Sequence, residues 1–325
     1  MASTIFNSRA QRPAFRLNWP LLAAATVWLT ASAYLLFFAD LSGLRYGNQE
    51  PVTYLLGQLG VLPFIALIVF MARRTGLKPI DHTSDLGLTR TRATLETVWL
   101  LAYMFVTMGF GMAFNLHTHI HFGAFADGTQ SILGQEAVES SLLWMGYNAL
   151  VYAVLPLAFF VGVRGYSARE LLLGFPKPRV FIPFAVVAGF VGFVPFITPE
   201  FWTVPALGHL LTLVLYSLGT LLPVAIFTQA LLAPRLAVLA RSWVTGAVLA
   251  GIVYMLFNLN EYFTEWGSAQ DVGLSLTWLL AGDLFWGTIK AVSTLALGNA
   301  WMHIFTTHTF HLADAPLVAR VFGVR

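Results

Sequence analysis

A polytopic bundle of membrane-spanning helices is the fold class that this sequence predicts, and three observations predict it. Of the 325 residues, 58% are hydrophobic and only 10% charged, with a mean hydropathy of +0.73. Long apolar runs recur along the whole chain, and Lys and Arg gather in every second connection between them. A soluble domain is roughly one-quarter charged. This chain cannot cover a water-facing surface with polar groups, so it belongs in a bilayer.

A spanning helix needs about 20 mostly apolar residues. That test places spans near 20–39, 52–72, 95–115, 141–163, 180–198, 207–232, 243–262, 274–296 and 299–313. Only Gly298 and Asn299 separate the last two and the final one is short, so eight or nine crossings are expected. Orientation follows from the basic residues. Arg9, Arg12 and Arg16 precede the first span; Arg73, Arg74, Lys78, Arg90 and Arg92 follow the second. Arg164, Arg169, Lys177 and Arg179 follow the fourth, and Arg235 and Arg241 the sixth. The opposite loops hold Arg45 and most of the acids. The N-terminus is therefore expected in the cytoplasm, and residues 1–325 form a single membrane domain.

Composition also excludes. With no cysteine there is no disulfide, thiolate nucleophile or zinc–sulfur site. The net charge of +3 and pI near 9.3 do not indicate a nucleic-acid partner, because the basic residues are spread over loops rather than gathered in one patch. No cleavable signal peptide is apparent, since the first apolar run lacks a small-residue cleavage site after it. The bilayer is the first partner, and no cofactor is implied.

Ionisable residues at membrane depth are costly and mark function by default. Asp283 and Lys290 lie seven apart on one helix face, too far for a direct bond; Lys290 can snorkel to the cytoplasmic interface, whereas Asp283 lies deeper without an evident basic partner. In FNLNEYFTEW, Asn258 and Glu261 are three apart and share a face. A bland reading is an outer interfacial helix end with Tyr262, Phe263 and Trp266 as its aromatic belt, and it covers Glu261 and Glu265 well and Asn258 less well. In HTHIH, His117, His119 and His121 would point the same way if extended, the way a strand presents three imidazoles to a metal; the alternative is a solvated loop. In HIFTTHTFH, helical geometry puts His308 and His311 on one face and His303 well round from His308. Eight histidines are too few for the boxes of a membrane di-iron oxygenase. Glu136 and Glu139 read as acids at a helix start.

The stretch TLLPVAIFTQALLAPRLAVLARSW, followed by VTGAVLAGIVYMLFNL and TIKAVSTLALGNAWMHIFTTHTFH, resembles in cadence and order the CPBP family, the CAAX proteases and bacteriocin-processing or Abi-type membrane proteins. The likeness covers 207–325. It implies an intramembrane protease fold in a bacterial cytoplasmic membrane, where paired glutamates activate water and histidines and asparagine assist. This chain departs at those positions. Val224 and Ala225 stand for the two glutamates and Gln229 for the arginine; Tyr254 and Asn258 stand for Phe-x-x-x-His, and Thr307 and His311 for the final His-x-x-x-Asn, with His308 one place off register. A carboxylate can serve as base there and a valine cannot. Three readings follow. In the first, a catalytically inactive or altered relative holds a partner helix, peptide or lipid-like ligand in a cavity lined by Gln229, Tyr254, Asn258, His308 and His311. In the second, a membrane hydrolase uses His308 or His311 with Asp283 or Glu261. The third is a transporter or channel with Asp283 and Lys290 on its path.

Overall fold

In a computed structural model, the described residues are 18–39, 59, 62–75, 87–114, 136–194, 197–259, 264, 266–306, 308 and 310–324. They are predominantly helical, with no strand among them. The α-helices that organise the molecule are α1 (Trp19–Phe37), α2 (Leu62–Thr75), α3 (Arg90–Ala113), α4 (Glu136–Asn148), α5 (Pro178–Ala188), α6 (Ala206–Tyr216), α7 (Ala233–Ala240), α8 (Trp243–Phe257), α9 (Ala269–Ala281), α10 (Asp283–Leu297) and α11 (Ala315–Val321). Five helical runs among the described residues are long and apolar enough to cross a membrane: 19–37, 90–113, 141–163, 206–240 and 269–297. The chain is an integral membrane protein on that evidence.

Polar caps set where several helices begin. The side chains of Asn18, Thr89, Ser242 and Ser268 accept from the backbone N–H three residues on, which satisfies one orphan donor of each first turn. Interior prolines are absorbed rather than terminal. Pro156 and Pro223 remove backbone donors from the runs 141–163 and 206–240, and π-helical turns adjoin both prolines. The run 207–232 expected from hydropathy therefore continues to Ala240.

At the centre, α8 and α10 lie antiparallel. Trp243 packs beside Ala296 and Leu297 at one end, and Asn258, which caps α8, bonds Asp283 at the other. Inside lipid, association depends on close packing rather than on a hydrophobic drive, so small residues matter. A Cβ on Gly251 would sit 2.8 Å from the Leu284 carbonyl oxygen, and one on Gly287 would meet the Tyr254 ring at 2.8 Å. The main apolar cluster surrounds this pair, with Tyr152, Phe227 and Phe257 packed edge-to-face or stacked. The first helix packs its Ala31 and Leu35 against Leu274 and Trp278 of α9.

The expected ninth span is not one helix. Residues 300–314 form two 3-10 pieces, Ala300–Phe305 and Phe310–Asp314, before α11. Asn299, Ala300 and Trp301 anchor the first piece on the carbonyls of Gly174, Leu172 and Leu173, at 2.7, 2.8 and 3.1 Å. Leu172 holds a left-handed φ of +57° to present its carbonyl there, a conformation that costs a leucine about 1–3 kcal/mol.

Candidate functional site

The polar residues of the C-terminal segment converge on α10. Asn258 donates its amide to Asp283 Oδ1 at 3.0 Å, and both side chains are buried. Trp28, nine residues from either end of α1, stacks on Phe285 at 5.1 Å. The Asn258–Asp283 bond thus lies at the level of the middle of a spanning helix. Asn258, which the interfacial reading of this stretch covers least well, is fully buried. Of the rest of FNLNEYFTEW, Trp266 is 43% exposed, while Asn260, Glu261, Tyr262 and Phe263 lie outside the described residues.

Two turns along α10, Lys290 is also fully buried, so it does not snorkel. Its ammonium faces the Tyr254 ring at 5.2 Å and the Trp286 ring at 5.6 Å. These quadrupoles, with the favourable field of the Asp283 carboxylate, offset part of the cost of a desolvated cation. Further along, Thr294 donates to Gln229 Oε1 at 3.0 Å, and Gln229 donates to Thr228 at 3.0 Å. Gln229 is thus satisfied within the bundle. Val224 and Ala225 are fully buried, and Val224 belongs to the main apolar cluster.

The terminal histidines are arranged differently from an α-helical projection. Because the backbone is 3-10 and then broken, the rings of His303 and His308 meet edge-to-face at 5.2 Å. Both are buried. His303 Nδ1 lies 2.7 Å from the Ala300 carbonyl and must donate to it, so in the neutral ring Nε2 is an acceptor. That nitrogen and Asn258 Oδ1 are buried without a hydrogen-bond partner among the described residues. His311 lies in the second 3-10 piece; its side chain, Thr307 and the triplet His117, His119 and His121 are outside the described residues. No cluster of three metal-ligating His, Cys, Asp or Glu side chains occurs among the described residues. A cleft between Glu200, Val204 and Arg320 has no residue of this polar seam in its wall.

A second polar assembly escaped the sequence reading. Glu96, buried in the first turns of α3, receives Arg92 at 3.1 Å, Arg164 at 2.9 Å and Arg235 at 2.7 Å. The Tyr166 hydroxyl donates to it at 2.8 Å. Arg235 is no loop residue: it sits in α7, 2% exposed, with its guanidinium over the Phe160 ring at 4.5 Å. Burial pushes the Tyr166 phenol up to about 12, the accepting Glu96 adds to the rise, and the arginines oppose it. The available signal was the i,i+4 pair Arg92–Glu96 in RTRATLETVW. The distant partners, Arg164 and Arg235, had no local signature.

No family model, curated protein or solved structure matches this chain.

Proposed function

We propose that the protein is a membrane-embedded bundle of protease-like organisation that lacks the protease's base and acts by binding. Its ligand would be a partner helix, a peptide or a lipid-like molecule, held along the polar seam of α10. The observation that carries this reading is the content of the π-helical stretch Val224–Leu232. Where the resembling family places two glutamates, Val224 and Ala225 are packed in hydrocarbon, and Gln229 is engaged by Thr294. No proton acceptor is supplied there. Buried Asn258 Oδ1 and His303 Nε2, each lacking a partner among the described residues, offer acceptors to a ligand. A buried acceptor left unmet costs about 1–3 kcal/mol, so a ligand that donates to it binds with that advantage.

One observation favours the hydrolase alternative. Asp283 brings a carboxylate to Asn258, which occupies the family's histidine position. The broken final segment and the α9–α10 break at Gly282 favour the transporter alternative, because discontinuous helices around midplane charges are its usual architecture. With the N-terminus cytoplasmic, the segment 300–321 would make the ninth crossing.

The test is made on full-length protein in nanodiscs. Molecules that co-purify with the wild type are compared by mass spectrometry with those of Asn258→Leu and His303→Phe. The wild type should carry a peptide or lipid-like species that both variants lose. Identical occupants in all three would end the binding reading. Cleavage of a prenylated test peptide, abolished by Asp283→Asn, would establish the hydrolase instead, and proton or ion flux in liposomes the transporter.

A further inference from the structure

The basic assembly around Glu96 does more than hold helices together. Three guanidinium groups share one carboxylate, and Arg92 and Arg164 both use its Oε1. Among the described residues the other acid in this region is Glu170, which is exposed, accepts from Ser167 at 2.7 Å and feels the field of Arg92 without a direct ion pair. Among the described residues, three guanidinium groups against these two acids leave positive charge over. Arg235 is sealed in, but the Arg92 and Arg164 side chains are 33% and 39% exposed.

Both exposed guanidinium groups are held in place. Arg92 lies over the Tyr166 ring at 4.1 Å and donates Nη2 to the Arg164 carbonyl at 3.3 Å; Arg164 donates Nε and Nη2 to Glu96. The Nη1 groups of both have no acceptor among the described residues. An array of fixed, under-neutralised guanidinium groups matches the oxygens of a phosphate.

The surroundings select the source of that phosphate. Immediately beside the arginines, Leu95, Val98 and Val163 are 67%, 61% and 72% exposed. These face outward from spanning runs, where acyl chains lie. On the connection that begins at Arg164, Phe175 is fully exposed, with exposed Lys177 and Arg179 following it. An aromatic ring among basic residues at the end of a span is an interfacial anchor. Along the chain, the exposed apolar end of a span, the Arg164 guanidinium and an exposed aromatic ring follow one another in the order of acyl chain, phosphate and headgroup layer.

The geometry points to an anionic phospholipid site on the basic face of the bundle, with the phosphate on Arg92 and Arg164 and the chains against Leu95, Val98 and Val163. Zwitterionic lipid would satisfy the wall but would leave the excess charge uncompensated.

The experiment uses the full-length protein with phosphatidylglycerol, phosphatidylcholine or inorganic phosphate as probes. Native mass spectrometry counts retained lipids, and thermal unfolding in detergent reports stabilisation. Wild type should retain phosphatidylglycerol over phosphatidylcholine and melt higher with it. Arg164→Gln should weaken phosphatidylglycerol retention roughly fivefold and leave phosphatidylcholine unchanged. Phe175→Ser, at a position that packs on nothing, should weaken it without lowering the melting temperature of lipid-free protein, which covers the case that Arg164→Gln does not fold. Equal retention of the two lipids by wild type would overturn the site, as would undiminished retention by both variants. Equal stabilisation by inorganic phosphate alone would overturn its assignment to a lipid.

Discussion

Arg235 donates Nε to Glu96 at 2.7 Å from a position 2% exposed to solvent, whereas Arg92 and Arg164 reach water. Removing the carboxylate therefore strands one cation and frees two. Glu96→Ala should destabilise the protein by about 3–5 kcal/mol, the usual cost of breaking a buried pair from one side. Replacing both ends with apolar groups, Glu96→Leu with Arg235→Met, should recover at least about 1 kcal/mol of that loss. Denaturant titration in mixed micelles measures both, and a double variant no better than Glu96→Ala would refute the one-sided origin of the cost. Tyr166 adds a pH dependence. Its folded pKa is raised, so the folded state binds the phenolic proton more tightly. Its contribution is complete below about pH 10 and is lost as pH rises towards 12. Stability should fall over that interval in the wild type, and the fall should be shallower in Tyr166→Phe.

Between elements, α8 approaches α10 closely, and the approach depends on which glycine faces which backbone. At Gly251 an added Cβ would meet the Leu284 carbonyl at 2.8 Å and the Thr288 nitrogen at 2.9 Å. Neither can move without displacing α10. At Gly109, near the C-terminal end of α3, nothing lies within 4 Å. Gly251→Ala should thus destabilise by about 1–3 kcal/mol, while Gly109→Ala should stay within about 0.5 kcal/mol of wild type. Equal effects in thermal melts would show that helix propensity rather than approach governs both. Apolar periodicity cannot distinguish these two glycines, because each sits in a run of hydrocarbon. The same limit explains what was legible elsewhere. Five of the expected apolar runs appear as helices long enough to cross a membrane, and Gln229, Tyr254, Asn258, Asp283 and His308, polar residues in apolar stretches of the sequence, are all buried by the fold. The meeting of His303 with His308 was illegible, because it requires a 3-10 turn and a break instead of 3.6 residues per turn. Glu96 was illegible as a centre, because two of its arginines come from 68 and 139 residues away.

Across the whole molecule, three of the arginines used to orient the chain meet at one carboxylate, so the helix ends bearing Arg92, Arg164 and Arg235 share one face. Residues 299–301 join that face through the carbonyls of 172–174. The run 206–240 leaves it at Arg235 and ends at Gly208, where an added Cβ would meet Ala319 of α11 at 2.9 Å. The stretch from 300 to 319 must consequently travel from the arginine face to the far end, although hydropathy gives it no complete helix. Broken backbone is tolerated at membrane depth only where protein or water, rather than lipid, meets its free polar groups. His303, Thr306 and His308 are buried along this stretch, as that rule requires. The absence of cysteine makes the topology directly measurable. Lys177→Cys and Arg169→Cys should react with an impermeant maleimide only when the cytoplasmic face is opened, and Glu200→Cys and Arg320→Cys should react from outside intact cells. Because Glu200 and Arg320 line one cleft, they must label from the same side in any arrangement. Labelling of both Glu200→Cys and Arg320→Cys from the side of Lys177→Cys would mean that neither the stretch 178–199 nor the last segment crosses, and it would remove His308 from membrane depth.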